Sequence, residues 1–301
     1  YYFMTKVSLI GVRNELGVIL IKPRKLLYYG YHADEIRKPI REELIYLDAD
    51  TNDNIEPNSC GVVYNRSGNL LFSPFFFDNG PDGFSEGLMR FVTKGKTGFV
   101  NRKGDIVIEA KYDYVDMFNY GLAAYCNGCV WKQKGEHRFV TGGQWGYINY
   151  KGDTIGIMNY KKNEKDQVVD SAKFLPYQFS YSQSEQKILD SFYRLPMISK
   201  THFVNNYSTL DSNELQLHYE IVERPSAFYP YYQVMAFEYT NMHGFYGSAY
   251  LGQCFFVDST GRDFFVFDYY NKKIPLGKWL KKEVENAKRF LKTHPDAIQK
   301  F

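Results

Sequence analysis

The chain has 301 residues, 44% of them hydrophobic and 24% charged, with a net charge of +3. This composition excludes a disordered chain, a collagen-like fibre and a small disulfide scaffold, and at roughly 150 residues per domain the length points to two domains or one elongated one. No apolar run approaches the roughly 18 residues of a membrane span, and so mild a charge argues against a nucleic-acid partner.

Aromatic residues make up 18% of the chain, mostly 27 Tyr and 24 Phe, a bias that favours strands over helical bundles. The first residue is Tyr1, which reads as a removed native start unless Met4 marks it, and nothing before Thr5 makes a complete signal peptide. Past it, one pattern recurs: an apolar strand, Asn or Asp, two residues, Gly, then a second apolar strand. The turns are Asn14 to Gly17, Asn65 to Gly68, Asn101 to Gly104, Asn149 to Gly152 and, far downstream, Asp258 to Gly261. The Asn or Asp side chain can accept a hydrogen bond from the turn backbone, and Gly takes the left-handed conformation that closes a short hairpin. Three leads are close copies: Gly61-Val62-Val63-Tyr64, Gly98-Phe99-Val100 and Gly146-Tyr147-Ile148.

A second element follows the turns. Phe84-Ser85-Glu86-Gly87-Leu88-Met89 aligns with Phe118-Asn119-Tyr120-Gly121-Leu122-Ala123, and Ile40 to Ile45 is a weaker copy. Gly68 and Gly104 lie 36 residues apart, Gly104 and Gly152 48 apart; the added length falls at Cys129 to Thr141, a lengthened hairpin with its tip at Lys134-Gly135-Glu136. Variable loops on a fixed strand framework are what repeat architectures tolerate. The pattern predicts a β-repeat region over 1–160, with repeats near 9–47, 60–95, 98–141 and 146–157. Its defining residues are Gly68, Gly87, Gly104, Gly121, Trp145, Gly146 and Gly152. Trp145, Tyr147, Phe99 and Phe91 are expected on stacked, half-buried strand faces, where core packing outweighs a ligand platform.

These residues resemble the WG-repeat family of bacterial proteins, whose unit reads approximately Lys-Trp-Gly-Tyr-Ile-Asp-x-x-Gly, then Tyr-Asp, then Phe-x-x-Gly-Leu-Ala. Gln144 to Gly152 is the clearest match; Thr97 and Cys60 stand where the other two units should carry Trp. The likeness covers roughly residues 9 to 157. It implies a β-rich array that mediates interactions, and it carries no catalytic residues.

After Gly156 the period stops, and the charged run Tyr160 to Asp166 marks a boundary. Residues 161–301 read as an α+β domain, with helices covering one antiparallel sheet. A helix is predicted from Ser184, its cap, to Leu195, with Pro196 closing it. Leu215 to Val222 alternates as a strand with one wet face bearing His218 and Glu220; further strands follow at Tyr231 to Thr240, Ala249 to Val257 and Asp263 to Asp268. Pro275 opens an amphipathic terminal helix through Leu276, Leu280, Val284, Ala287 and Leu291. The fold class is thus mainly β, with a C-terminal α+β domain. The Asp258 hairpin leaves open a single array running through the whole chain.

The chemical candidates are few. Cys126-Asn127-Gly128-Cys129 reads as a tight hairpin turn before a disulfide or a metal site, since only His137 lies near as a further ligand. His218 and Glu220 share a strand face and, with His202 or His243, could form a general-base or metal cluster, though any exposed strand gives that spacing. The cations from Lys278 to Lys292 read as a solvated helix face before a phosphate-binding one. Tyr231, Tyr232, His243, Phe245 and Tyr246 are the candidate binding residues, because Tyr joins a large apolar face to a polar tip. No catalytic residue, metal ligand or cofactor is assigned. The expectation is a non-enzymatic interaction protein of the cell envelope or secreted, whose partner is another protein or an envelope glycan. The alternatives are a repeat region positioning an enzymatic or toxin-like C-terminal domain, and a glycan-binding envelope protein.

Overall fold

A computed structural model describes residues 1–25, 39–49, 56–77, 80–170, 172–205, 217–227, 229–237, 239 and 254–294. The chain is mainly β, its sheets antiparallel, and it divides into two units. The first is Tyr1–Phe118 with Leu122–Ile155; the second is Asn119–Gly121 with Gly156–Phe301.

Among the described residues of the first unit one motif, a three-stranded antiparallel meander, occurs four times. The first copy is β1 (Tyr2–Met4), β2 (Ile10–Arg13) and β3 (Ile19–Arg24); the second is β4 (Leu44–Leu47), β5 (Val62–Asn65) and β6 (Leu70–Pro74). A small hairpin, β7 (Phe76–Phe77) with β8 (Gly80–Pro81), precedes the third copy: β9 (Met89–Thr93), β10 (Lys96–Val100) and β11 (Ile106–Tyr112). Pairing of β6 with β9 joins the second and third copies into a six-stranded sheet. After β12 (Tyr114–Val115), the fourth copy is β13 (Leu122–Lys134), β14 (His137–Asn149) and β15 (Thr154–Ile155).

Each Asn turn joins the middle strand of a meander to its last strand, and all four share one geometry. The glycine nitrogen donates to the Asn carbonyl at 2.9–3.1 Å in every copy. The Asn side-chain oxygen accepts from the turn backbone, as Asn101 Oδ1 does from the Lys103 (2.9 Å) and Asp105 (3.0 Å) nitrogens. The closing residue is left-handed: φ is 82° at Gly17, 86° at Gly68, 84° at Gly104 and 80° at Gly152. The second recurring element is also a turn. Glu86-Gly87 and Tyr120-Gly121 are consecutive left-handed pairs (φ 51° and 80°, 55° and 76°), which is the primed turn that suits the twist of paired strands. The weaker copy at Ile40 enters β4 without such a pair.

Neighbouring copies share their cores. Val12, Ile21, Leu47 and Val62 cluster between the first and second meanders; Leu44, Val63, Phe91 and Val100 between the second and third; Phe99, Ile108, Phe118 and Ile148 between the third and fourth. A meander alone leaves one face bare, so each copy needs the next. Complete burial of a ring such as Phe99 contributes about 2–3 kcal/mol. Gly98 is fixed by close approach: a Cβ there would lie 2.4 Å from the Ile108 carbonyl oxygen and 2.6 Å from the Ala110 nitrogen.

The fourth meander departs from the sequence expectation. Cys126 to Cys129 is not a tight turn; it lies inside β13, paired with β14 on both sides, and the hairpin closes at Lys134 and His137. The ribbon kinks there instead, with Gly128, Gly142 and Gly143 at φ 75°, 74° and 69°. Trp145 is 47% exposed, so it is no core residue, whereas Phe91 and Phe99 are buried.

In the second unit a hairpin, β16 (Gln167–Asp170) with β17 (Lys173–Leu175), leads to α1 (Gln183–Tyr193). The cap of α1 is Ser182, not Ser184: its hydroxyl accepts from the Glu185 nitrogen while its own nitrogen donates to the Glu185 carboxylate at 2.8 Å. Such a reciprocal cap contributes about 1 kcal/mol. α1 ends before Pro196, as the sequence predicts, with its cap at Arg194, and a second helix, α2 (Met197–Asn205), starts directly after the proline. A five-stranded antiparallel meander follows: β18 (His218–Glu223), β19 (Tyr231–Phe237), β20 (Cys254–Asp258), β21 (Phe264–Phe267) and β22 (Lys273–Pro275). Leu215, Thr240 and Ala249, predicted ends of these strands, lie outside the described residues. Terminal helix α3 (Leu276–Thr293) packs on α2, β21 and β22. Ile188, Leu189 and Phe192 of α1 meet Tyr219, Ile221, Val234, Phe255 and Val257 of the sheet in one core.

The Asp258 turn repeats the Asn geometry, with Gly261 at φ 74° and the Asp258 carboxylate accepting from Arg262 (2.8 Å) and Asp263 (2.9 Å). Its hydrogen bonds, that from the Thr260 hydroxyl foremost, hold the carboxyl down to about 2. A further turn of this design, absent from the sequence reading, joins β21 to β22. There Asn271 (φ 56°) replaces Gly, and Asp268 accepts from Tyr270 and Lys272 at 2.9 and 2.8 Å.

Two glycine substitutions separate conformation from crowding. Gly17→Ala meets nothing within 4 Å and should cost about 1 kcal/mol, the strain of a left-handed alanine. Gly98→Ala should cost about 3 kcal/mol, because backbone rather than a side-chain tip stands in the way. Urea unfolding of the two variants measures the difference.

Candidate functional site

The aromatic surface of the first unit rests on a buried ion pair. Arg90 on β9 is 1% exposed, and its Nε and Nη2 donate to the two oxygens of Asp82 at 2.9 and 3.0 Å, while Nη1 donates to the Val115 carbonyl at 3.1 Å. Burial alone would pull the guanidinium down; Asp82 outweighs it and raises its pKa. The plane of the pair supports rings: Arg90 lies 4.3 Å from the Phe75 centroid and 5.3 Å from that of Phe77.

Outward from Phe75 the rings continue to the surface. Tyr114 and Trp131 each lie 6.2 Å from Phe75; Tyr114 lies 5.5 Å from Trp131 and 6.0 Å from Trp145. Arg138 covers Trp131 at 4.9 Å and donates to Asn58 at 2.8 Å. Trp145 is steadied by its own nitrogen, which donates to the Gly142 carbonyl at 2.8 Å. In a regular ribbon Trp131 and Trp145 would face opposite ways, since Trp145 pairs with Cys126 and side chains alternate. The glycine kink reverses this and sets both against Tyr114. Beside the kink the Cys126 thiol donates to the Gly142 carbonyl at 3.6 Å; burial first, then the Cys126 thiol, pushes Cys129 up to about 12. Both stand as thiols. The outcome is a wall of rings with a guanidinium at its rim, able to pack against apolar groups or sugar rings.

The second unit holds a different centre. Glu220 was expected on a wet strand face; it is fully buried. One carboxylate oxygen accepts from Lys165 Nζ at 3.0 Å and Tyr239 Oη at 3.1 Å, the other from Tyr177 Oη at 2.7 Å and from Tyr181 Oη. Desolvation first, then the adjacent carboxylate, drives the Tyr177, Tyr181 and Tyr239 phenols far above their ordinary range, so they remain donors. With both oxygens doubly engaged, Glu220 has no acceptor position left for a substrate proton. His218, its ring 5.4 Å from Tyr239, is lowered to about 4 by burial and then by Lys165. The cluster clamps residues 165–181 to the sheet. Sequence reasoning found Glu220 and missed its four donors, which are scattered along the chain.

Tyr231 and Tyr232 fall on opposite faces of β19. Tyr231 joins an aromatic cluster with Tyr229 (5.8 Å), Phe265 (5.1 Å) and Phe267 (6.0 Å), whereas Tyr232 packs against the core beneath the helices. His243, Phe245 and Tyr246 lie outside the described residues. Among the described residues, no three His, Cys, Asp or Glu side chains are grouped to hold a metal, and no helix is long and apolar enough to cross a membrane.

Two centres give two tests. Arg90→Leu should cost about 3–5 kcal/mol by stranding Asp82, and Arg90→Leu with Asp82→Leu should recover part of it, as denaturant titration will report. Neutral His218 has a lowered folded pKa, so the unfolded chain binds more protons between about pH 6.5 and 4. Stability should fall as pH drops through that window, and His218→Gln should remove about one proton from the slope.

Comparison with known proteins gives one match. Residues 98–131 fit the family model described as WG containing repeat, running from β10 through the Tyr120-Gly121 turn to Trp131 on the ribbon. No curated protein and no solved structure matches the chain. The chain therefore resembles WG-repeat proteins over that one segment.

Proposed function

We propose that the protein is a non-enzymatic interaction protein of bacterial type, with WG-type repeats over residues 1–160 joined to an α+β domain over 161–301. Its binding surface is the aromatic wall of Tyr114, Trp131 and Trp145, rimmed by Arg138, and its partner is another protein. The observation that supports this is the exposure of Trp145, 47% of a large ring held in place by a kinked ribbon and a hydrogen bond. Tryptophan and arginine at the edge of packed rings are the residues that anchor protein interfaces. A glycan would stack on the same rings, which makes it the second reading. A catalytic C-terminal domain built on Glu220 has less support, because that carboxylate is committed to four donors.

The test uses the full chain as bait in a bacterial extract, beside Trp145→Ala with Arg138→Glu. Tyr269→Ala, at a 94% exposed ring of the second unit, is the control. A protein held by the wild type and the control, and lost about tenfold by the double variant at unchanged Tm, is the expected result. Equal capture by all three removes the wall as the site; loss of polysaccharide alone moves the reading to a glycan.

A further inference from the structure

Helix α3 divides its residues sharply. Leu276 and Ala287 are buried, and Trp279 and Leu280 pack against the core of the second unit. The opposite side carries Lys278, Lys281, Lys282, Lys288, Arg289 and Lys292, all exposed, with Glu285 the one carboxylate among them. At 100° per residue these positions fall within roughly 120° of arc, and the helix is about 27 Å long. Six cations and one acid on one helix stripe stand against a net charge of +3 for the whole chain. Glu285 is matched within the stripe by Lys288 at 3.0 Å, so the excess positive charge faces outward.

We propose that this stripe docks the protein on a membrane surface rich in anionic phospholipid. Cations that share one face of a helix can meet a plane together, and clusters of this size on an amphipathic helix suit anionic headgroups. The apolar side of α3 is occupied by the protein's own core, so the contact is one of charge at the surface, without insertion. Five of the six cations are Lys, point charges that read no base, and Arg289, the one side chain that could, donates to Asn286 at 2.5 Å, which disfavours base recognition of a nucleic acid.

The test is co-sedimentation of the full chain with phosphatidylcholine vesicles and with vesicles in which a third of the lipid is phosphatidylglycerol. Binding is expected to the anionic vesicles alone, and to vanish between about 0.1 M and about 1 M salt as the screening length falls from about 10 Å to about 3 Å. Lys278→Glu, Lys281→Glu and Lys282→Glu together should weaken it about a hundredfold. Acids in the first turns suit the helix dipole, so Tm should hold. Binding that ignores the charge of the vesicle or the triple substitution overturns the proposal. So does an absence of vesicle binding, including the case where a duplex DNA or RNA probe is held instead. The capture experiment on the aromatic wall is independent of every one of these outcomes.

Discussion

A single turn governs how this chain is laid out. An Asn or Asp whose side chain accepts from the backbone ahead of it, followed by a left-handed residue, reverses the strand within a few residues and fixes register on both sides. Where the turn recurs, a meander recurs, and where meanders follow one another their bare faces close into shared cores. The close approach at Gly98 follows from the same geometry, because the last strand folds back directly across the middle one. Remove the turn and both the pairing and the core between copies lose their definition.

The two units solve the problem of a buried carboxylate in opposite ways. Asp82 meets one partner, a bidentate guanidinium whose flat face then serves as the floor of an aromatic stack. Glu220 meets four, drawn from three separate stretches of chain, and so ties the segment before α1 to the sheet. A bidentate pair leaves the arginine's faces available for rings; a carboxylate with four donors leaves nothing over. The first arrangement thus supports a surface, and the second consolidates an interior.

Local signals were legible in the sequence and distant ones were not. The Asn-x-x-Gly turns could be read because all their hydrogen bonds close within five residues. The Asp268 turn escaped because Asn271 can adopt the left-handed conformation without being glycine. Asn127-Gly128 looked like a hairpin, yet paired strands on both sides made it a kink, since tertiary pairing outweighs the preference of two residues. Pro196 correctly read as a stop for α1, but proline is equally at home where a helix begins, and the start of α2 behind it went unread. The donors to Glu220 carry no spacing that sequence could reveal, and Glu220 itself looked exposed because its neighbours alternate like any half-wet strand.

The meander plan also bears on how the chain comes into being. Within each meander every strand pairs with one adjacent in sequence, and even the join between the second and third copies spans only β6 to β9. Contacts so local keep loop-closure entropy small and favour rapid folding for a β protein. A chain emerging from the ribosome can complete one meander and present its bare face as a template before the next has been synthesised, so each copy folds onto its predecessor rather than waiting for the C-terminus.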